Sequence, residues 1–461
     1  MGLEPRKAGR PLPGGKSRKF PSSAPAKKTI EGLPARQAAS TAFLAVLNDK
    51  KPLDEALDAA FAAPRAQNLD ERDRRFARAL AVIAFRHFGA IDQRLKRFLK
   101  KPLPKKAEVV RNILRLGLAQ LDHMDIPDHA AVSLTVELAR SDAVASHFLS
   151  LVNGVMRAAG RDPASVPGRA QTVPAWLWRR WRAAYGESDS RRMLEALAAS
   201  PDLDLSVKGD PGGWADILGG TVLANGSVRI GDKAAVEDLP GYGDGAWWVQ
   251  DAGAALPAKL LGAADGLDVL DLCAAPGGKT AQLCAKGARV TALDISVTRL
   301  KRLRENLDRL HLSAEIVAAD MLAWSPDRLF DAVLLDAPCS STGTIRRHPE
   351  IPYTKSEADI EALATLQAAM LDRTKAWVKP GGTLVYCTCS LEKAEGEDRI
   401  EDFLAGNEDF VRRAVAADEI GGLAEAITDK GDVRTLPFMA FPDSDCVGLD
   451  GFFIARLQRK V

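Results

Sequence analysis

Asp336 and Cys339, in Asp336-Ala-Pro-Cys-Ser-Ser-Thr-Gly343, and Cys389, in Thr388-Cys389-Ser390, are the residues of this chain best suited to chemistry. Each cysteine follows an apolar run that reads as a strand, so two thiols and a carboxylate are expected to face one cleft from neighbouring strand ends. A lone cysteine at a strand end is usually a small buried hydrophobe. Two at equivalent ends, one behind Asp-Ala-Pro, are hard to explain as packing. A thiolate is a nucleophile, and a carboxylate beside it can hold a proton or a hydrogen bond during attack.

A second constellation occupies residues 268 to 280, Asp-Val-Leu-Asp-Leu-Cys-Ala-Ala-Pro-Gly-Gly-Lys-Thr, where an apolar run stops at small residues and two glycines. The pattern predicts a strand, a tight turn and a helix starting near Thr280, a corner that lets backbone N–H groups approach a bulky ligand. Cys273, Ala274, Ala275, Pro276, Gly277, Gly278 and Lys279 are therefore candidate cofactor-binding residues. The phosphate loop G-x-x-x-x-G-K-[ST] would need glycine at Cys273, and G-x-G-x-x-G is absent, so a phosphate ligand is disfavoured. Asp271, Asp294, Asp320 and Asp336 stand at or just after four successive strand-like runs. Asp294 falls about twenty residues beyond the turn, where a carboxylate would accept both hydroxyls of a ribose. Any one of these could be only a helix cap. Four in register suggest a nucleoside ligand such as S-adenosyl-L-methionine, bound through the 273–279 loop with Asp294, Asp320 and Asp336.

The elements that must position these residues follow from periodicity. Strand-like runs at 268–273, 289–293, 314–318, 330–335 and 383–388 alternate with helical ones, including Leu300, Leu303, Leu307 and Leu310 on one face. Alternation of this kind predicts a doubly wound, mostly parallel sheet over residues 266–461, a Rossmann-like α/β domain. The run from Gly451 is expected to add an edge strand. Residues 34–160 show only helical periodicity, as in Val109, Val110, Ile113, Leu114, Leu118 and Leu121, and predict an all-α N-terminal domain. Residues 161–265 read as a small α+β module. Within it, Trp176-Leu-Trp-Arg-Arg-Trp-Arg could stack bases or form the buried stripe of a helix, and the stripe is favoured. Residues 1–33, rich in Pro, Gly, Lys and Ser, read as a disordered basic tail.

Composition narrows the class. The 461 residues are 46% hydrophobic and 27% charged, without an apolar run long enough to span a bilayer, so a cytoplasmic, non-membrane protein without a secretory signal is expected. Six cysteines without C-x-x-C pairs argue against a disulfide framework and against a zinc site. No metal is expected, and the protein is expected to be a monomer. Net charge is +2, yet residues 72–115 carry fourteen Lys or Arg against three acids, the local excess a polyanion such as RNA requires.

Four stretches carry a resemblance to a known family. Cys273-Ala-Ala-Pro-Gly-Gly-Lys-Thr280, Asp336-Ala-Pro-Cys-Ser-Ser-Thr-Gly343, Tyr386-Cys-Thr-Cys-Ser390 and Asp450-Gly-Phe-Phe453 strongly resemble the RNA 5-methylcytosine methyltransferases of the NOP2/Sun/RsmB family. Ile126 to Ala139, with Phe148 and Val152-Asn153-Gly154-Val155, looks like the NusB-type RNA-binding domain. The resemblance implies S-adenosylmethionine-dependent methylation of cytosine carbon 5 in RNA, with small-subunit (16S) ribosomal RNA as the expected substrate. It implies Cys389 as the nucleophile at carbon 6, Asp336 at the Watson–Crick edge of the base and Cys339 in product release. The chain departs from the family at Leu205-Ser-Val-Lys208, where Leu-Arg-Val-Asn is usual and a basic RNA contact is expected. Three alternatives stand beside this reading: a methyltransferase of another RNA such as tRNA, a DNA cytosine methyltransferase, and a non-catalytic RNA-binding factor on the same scaffold. Pro338-Cys-Ser lacks the Pro-Cys-Gln context of the DNA enzymes.

Overall fold

The computed structural model describes residues 1–2, 30–99, 101–162, 173–231, 235–262, 265–442 and 447–461. The tail expected over 1–33 lies outside these except at 1–2 and 30–33, as do Lys100 and Cys446. Helices α1 (Leu33–Asp49), α2 (Leu53–Ala62), α3 (Glu71–Arg86), α4 (Phe88–Phe98), α5 (Glu108–His123), α6 (Asp128–Ser141) and α7 (Leu149–Arg161) share one hydrophobic core. Local chemistry sets their ends: the Asp70 carboxylate accepts the Asp73 N–H at 2.7 Å and starts α3. Of the α5 stripe, Val110, Ile113, Leu114 and Leu118 are fully buried, while Val109 and Leu121 pack at its margin.

Part of the positive charge expected to face RNA is spent on ion pairs within this bundle. Arg115 binds Asp92 at 2.8 Å, Arg97 binds Asp162 at 2.6 Å, and the buried Arg94 pairs with Asp122. Arg86 donates to the Arg346 carbonyl at 2.8 Å, across the seam with the C-terminal half. The excess in 72–115 is thus partly structural, because a helix surface that packs on its neighbours needs its guanidinium groups satisfied there. Arg72, Lys96, Lys101 and Lys106 remain exposed.

Helix α8 (Ala175–Ala198), broken at Gly186, carries the tryptophan-rich stretch. Trp181 is fully buried and donates its indole N–H to Glu392 at 3.2 Å. Arg180 binds the other oxygen of that carboxylate at 2.5 Å, so the stripe is core and tethers the segment that follows Cys389. Strand β1 (Leu203–Val207), helix α9 (Pro211–Leu218) and strands β2 (Thr221–Val222), β3 (Val228–Ile230) and β4 (Trp247–Val249) then form a small antiparallel sheet ordered β2-β3-β1-β4.

The remainder alternates: α10 (Leu256–Leu260), β5 (Asp268–Leu272), α11 (Gly278–Ala285), β6 (Arg289–Asp294), α12 (Val297–Arg309), β7 (Glu315–Ala318), β8 (Phe330–Asp336), α13 (Ile351–Thr354), α14 (Glu357–Thr374), β9 (Val378–Thr388), α15 (Glu397–Gly406), β10 (Phe410–Arg412), β11 (Val433–Arg434) and β12 (Phe453–Arg459). The sheet runs β10-β12-β9-β8-β5-β6-β7, with β11 also on β12. Strands β7, β6, β5, β8 and β9 pair in parallel, and β12 returns antiparallel along β9. The run from Gly451 is therefore interior rather than an edge. It is covered on its far side by β10 and β11, short strands whose sequences gave little periodicity to detect.

The helical bundle seats on the segment that follows Gly343. The Tyr353 ring lies 4.3 Å from that of Phe88, Lys50 donates to the Tyr353 carbonyl at 2.9 Å, and the Leu53 N–H donates to Glu350 at 3.3 Å.

Candidate active site

Register brings the chemistry-bearing residues together. Leu272 lies beside both Leu293 and Leu335, and Asp336 beside Cys387, so β6, β5, β8 and β9 end at one level. Beyond these ends lies a cavity of about 600 Å³, walled by Leu293, Met321, Leu366 and Met370 and edged by Asp294, Asp320 and Asp336. Cys273, Cys339, Ser341 and Cys389 face the same space. The two thiols expected at neighbouring strand ends are 3.4 Å apart, sulfur to sulfur.

That separation makes them unequal. The Cys389 thiol is pulled below its ordinary range, chiefly by the hydrogen bond from Cys339; burial and Asp336 oppose this, and Ser341 at 3.6 Å and Lys279 assist it. Cys339 is pushed well above its ordinary range by the same bond, then by burial, then by the negative charge of Cys389 and Glu395. The two thiols are thus driven apart in acidity, with Cys389 the more acidic of the pair. Asp336 is bound through one oxygen by the Lys279 ammonium at 2.8 Å and through the other by the Cys387 thiol at 3.4 Å. Burial lowers the Lys279 pKa and Asp336 raises it, and the net effect keeps the ammonium charged. Lys279 also sits 5.2 Å from the ring centre of Phe452.

The glycine loop has a supporting part in this arrangement. Of its seven candidate residues only Cys273 lines the cavity; Ala274, Ala275, Pro276, Gly277, Gly278 and Lys279 curl behind it. The Ala275 N–H donates to Asp294 at 3.2 Å and the Ser296 N–H at 2.9 Å, so the turn fixes the carboxylate rather than presenting bare N–H groups. Gly277 has φ 103°, and a Cβ there would press on Leu303 at 2.9 Å. Helix α11 starts at Gly278, two residues before the expected Thr280. Asp271 departs from the four-aspartate reading: it is fully buried outside the cavity and accepts the Thr280 hydroxyl at 2.6 Å. Burial pushes its pKa up to about 7. Its place on β5 aligns its backbone with the others, but the pleat decides where its side chain goes.

Several contributors were not legible as site residues. Glu395, fully buried, accepts the Ser340 N–H at 2.8 Å and the Gln367 amide at 3.1 Å, and binds the Ser340 and Ser390 hydroxyls, clamping the two cysteine loops together. Arg299, at the start of α12, pairs with Asp294 at 3.3 Å and reaches the Ala275 carbonyl. Ser341 and Cys387 lay within the matched motifs, so that signal was present; Glu395 and Gln367 gave none. Cys273 and Ser341 both adopt φ 59°, a left-handed conformation that costs non-glycine residues about 1–3 kcal/mol and collects at functional sites.

The motif glycines meet at one junction. The Gly343 N–H donates to the Cys389 carbonyl at 2.9 Å, and the Gly451 N–H donates to the Gly343 carbonyl at 2.9 Å. A Cβ on Gly343 would collide with the Gly451 carbonyl oxygen and stand 2.9 Å from that of Cys389. Gly343→Ala is expected to cost about 1–3 kcal/mol of stability in urea titration, and to lower turnover further than that loss explains, because the Cys389 loop must move. Unchanged turnover in a folded variant would show that the junction does not set the thiol position.

A parallel sheet of this order, with a carboxylate-edged cavity and a thiol pair at its strand ends, defines a methyltransferase-type α/β enzyme joined to a helical bundle. Residues 258–458 match the family described as 16S rRNA methyltransferase RsmB/F, and residues 33–161 match the NusB family. Ribosomal RNA small subunit methyltransferase B of Xanthomonas campestris pv. campestris is 34% identical over 462 residues, covering 94% of this chain and 99% of that protein. The protein of the same name from Vibrio vulnificus is 36% identical over 392 residues, 80% of this chain and 90% of that one. The crystal structure of PH0851 shares the fold at a TM-score of 0.72 and 23% identity, covering 94% of this chain and all of that one. The structure of NSun6 from Pyrococcus horikoshii with SFG aligns at 0.51 and 19% identity, covering 62% of this chain and 98% of that one. The chain belongs to the RsmB/F family and is an RNA methyltransferase.

Proposed function

We propose that this enzyme methylates carbon 5 of a cytosine in small-subunit (16S) ribosomal RNA through a covalent adduct between Cys389 and carbon 6 of the base, with S-adenosyl-L-methionine as methyl donor. The observation that carries this reading is the thiol pair at 3.4 Å beside a carboxylate held by Lys279. Methylation of an exocyclic nitrogen or a ribose oxygen would have no use for it.

The cavity suits the cofactor. Its volume, about 600 Å³, falls in the range of small-molecule sites. Asp294, fixed at the end of β6, can accept ribose hydroxyls, while Leu293, Met321 and Leu366 offer apolar surface to a purine. Three carboxylates favour a ligand bearing a sulfonium and an amino group, and repel polyphosphate. When bound, the cofactor supplies an electrophilic methyl group.

Carbon 5 of cytosine is too weakly nucleophilic to take that methyl unaided. The Cys389 thiolate adds at carbon 6, forming the C–S bond and pushing the π electrons of the double bond toward carbon 5. Asp336, hydrogen-bonded by Lys279, lies where it can accept the N3–H of the ring; N3 takes that proton from solvent as carbon 6 is attacked and returns it when the adduct collapses, which stabilises the adduct. After carbon 5 is alkylated its proton passes to solvent water, the C–H electron pair re-forms the C5–C6 double bond, and the C–S bond breaks with its pair going to the Cys389 sulfur. Cys339, still a thiol, donates its S–H to the departing Cys389 sulfur. The target base must be unstacked to reach this depth, which single-stranded RNA loops permit at least cost.

In the domain division that goes with this reading, 34–160 contributes RNA affinity, 161–265 links the halves and 266–461 performs the chemistry. The protein works as a monomer in the cytoplasm, without a metal. Among the described residues no helix is long and apolar enough to cross a membrane, and no cluster of His, Cys, Asp or Glu could hold a metal ion. Methylating an unmodified small-subunit rRNA transcript with labelled cofactor and digesting it to nucleosides tests the reading. Label in 5-methylcytidine is expected; label in another nucleoside would refute it.

A further inference from the structure

A second cavity, about 840 Å³, opens between the four-stranded module and the loops that enter the parallel sheet. Lysines from three elements reach it: Lys208 just past β1, Lys259 on α10 and Lys286 just past α11. Lys208 is anchored, donating to the Leu310 carbonyl at 2.6 Å. Lys259 and Lys286 have no carboxylate partner among the described residues. The one acid on the described wall, Glu419, is already bound by both terminal nitrogens of Arg456, at 2.6 and 2.9 Å. Burial, and then the nearby Lys286, push the Lys259 pKa down to about 8. Two ammonium groups that repel each other, Lys259 half-buried and neither ion-paired with a carboxylate among the described residues, are unfavourable in isolation. An anion seated between them would relieve both terms. Around them the Asn225 and Gln282 amides already donate to the Ala252 and Ala255 carbonyls, at 2.9 and 2.8 Å, while Ser227 carries a hydroxyl of the kind that binds phosphate and sugar oxygens.

We propose that this groove seats the phosphodiester backbone of the substrate RNA, at a point remote from the nucleotide being methylated. The inference rests on the chain acting on RNA and goes beyond its chemistry. Gly262, Lys286 and Gly287 lie in loops entering β5 and β6, whereas Cys273 and Asp294 lie where those strands exit. Groove and cavity thus open at opposite ends of the sheet, separated by at least a strand's length, roughly 20 Å. A ribosomal RNA is a polyanion long enough to touch both; a short oligonucleotide held in the cavity is not. Lys208, two residues past the Ser206 that stands where an arginine was expected from the sequence, belongs to this rim and not to the catalytic cleft.

The test is the double variant Lys259→Gln/Lys286→Gln, checked for an unchanged melting temperature and unchanged affinity for S-adenosylmethionine. Binding of an unmodified small-subunit rRNA transcript is measured against salt concentration. Releasing two phosphates should lower the slope of log K against log salt by about 1.4, taking about 0.7 per phosphate on single strands. Turnover at saturating transcript should stay at the wild-type value, and binding of a short single-stranded oligonucleotide should not change. An unaltered slope on the long transcript overturns the proposal, as does an equal loss on the short oligonucleotide, which would put these lysines at the cavity. Protection of Lys259 from acylation by a mononucleotide or orthophosphate, but not by RNA, would assign the groove to a small phosphorylated ligand and also overturn it. Failure of the wild-type enzyme to methylate would fault the reading of the reaction and leave the salt slopes to judge the groove.

Discussion

Cys339→Ala, incubated with substrate RNA and S-adenosylmethionine, is expected to accumulate a protein–RNA species that survives SDS, whereas Cys389→Ala is expected to give none and to lose methylation entirely. The asymmetry follows from the thiol pair. Cys389 carries the depressed pKa and Cys339 the raised one, which suits the first to the proposed attack and the second to the proposed proton donation. Removing the donor leaves attack and methyl transfer in place but leaves the departing sulfur without a proton. The same contact gives a pH test with a definite sign. Alkylation of Cys389 by iodoacetamide should rise with pH through a midpoint below that of an ordinary thiol. In Cys339→Ala that midpoint should move upward, because the hydrogen bond that stabilises the thiolate is gone. The reverse gel pattern would make Cys339 the nucleophile. Full activity in both variants with no adduct would remove covalent catalysis.

Asp294→Ala is expected to weaken cofactor binding by on the order of a hundredfold to ten-thousandfold, since hydrogen bonds to a charged group contribute about 1.5–3 kcal/mol each and a ribose diol makes two. Alanine also orphans the Ala275 and Ser296 N–H groups, so part of the loss would come from the turn relaxing. Asp294→Asn separates the two effects. Its amide oxygen can still accept one of these N–H groups while the charge is gone, and affinity should fall between alanine and wild type. Calorimetry showing wild-type affinity in folded Asp294→Ala would refute the assignment of this carboxylate to the ribose.

Legibility differed from residue to residue for physical reasons. Four of the five parallel strands, β5, β6, β8 and β9, were readable because a strand buried on both faces must be largely apolar, whereas β7 is a partly buried edge strand. Strand β12 was readable as a strand but not as an interior one, since β10 and β11, which cover it, are three and two residues long. Trp181 was ambiguous because an aromatic at helical spacing serves a core and a stacked base equally well; its bond to Glu392 came from contact across the fold. The basic run at 72–115 overstated the RNA-facing charge, because Asp122 and Asp162, the partners of Arg94 and Arg97, lie outside the window. Glu395 left no trace, since a single acid between motifs does not announce which loops it will join.

By itself the sequence determined the kind of chemistry on offer: thiols and carboxylates at strand ends, a turn of small residues unsuited to phosphate, and motifs specific enough to carry a family resemblance. These depend on residue type and short spacing, which the chain states directly. The tertiary structure decided which thiol is the more acidic, because that rests on a 3.4 Å contact between residues fifty positions apart. It also decided that Asp271 is buried away from the cavity while Asp294 edges it, that Lys279 serves Asp336, and that Lys259 and Lys286 share a groove without a carboxylate partner among the described residues. Electrostatic environment is set by distance and burial, and both are fixed only when the sheet closes its register and the helices pack against it.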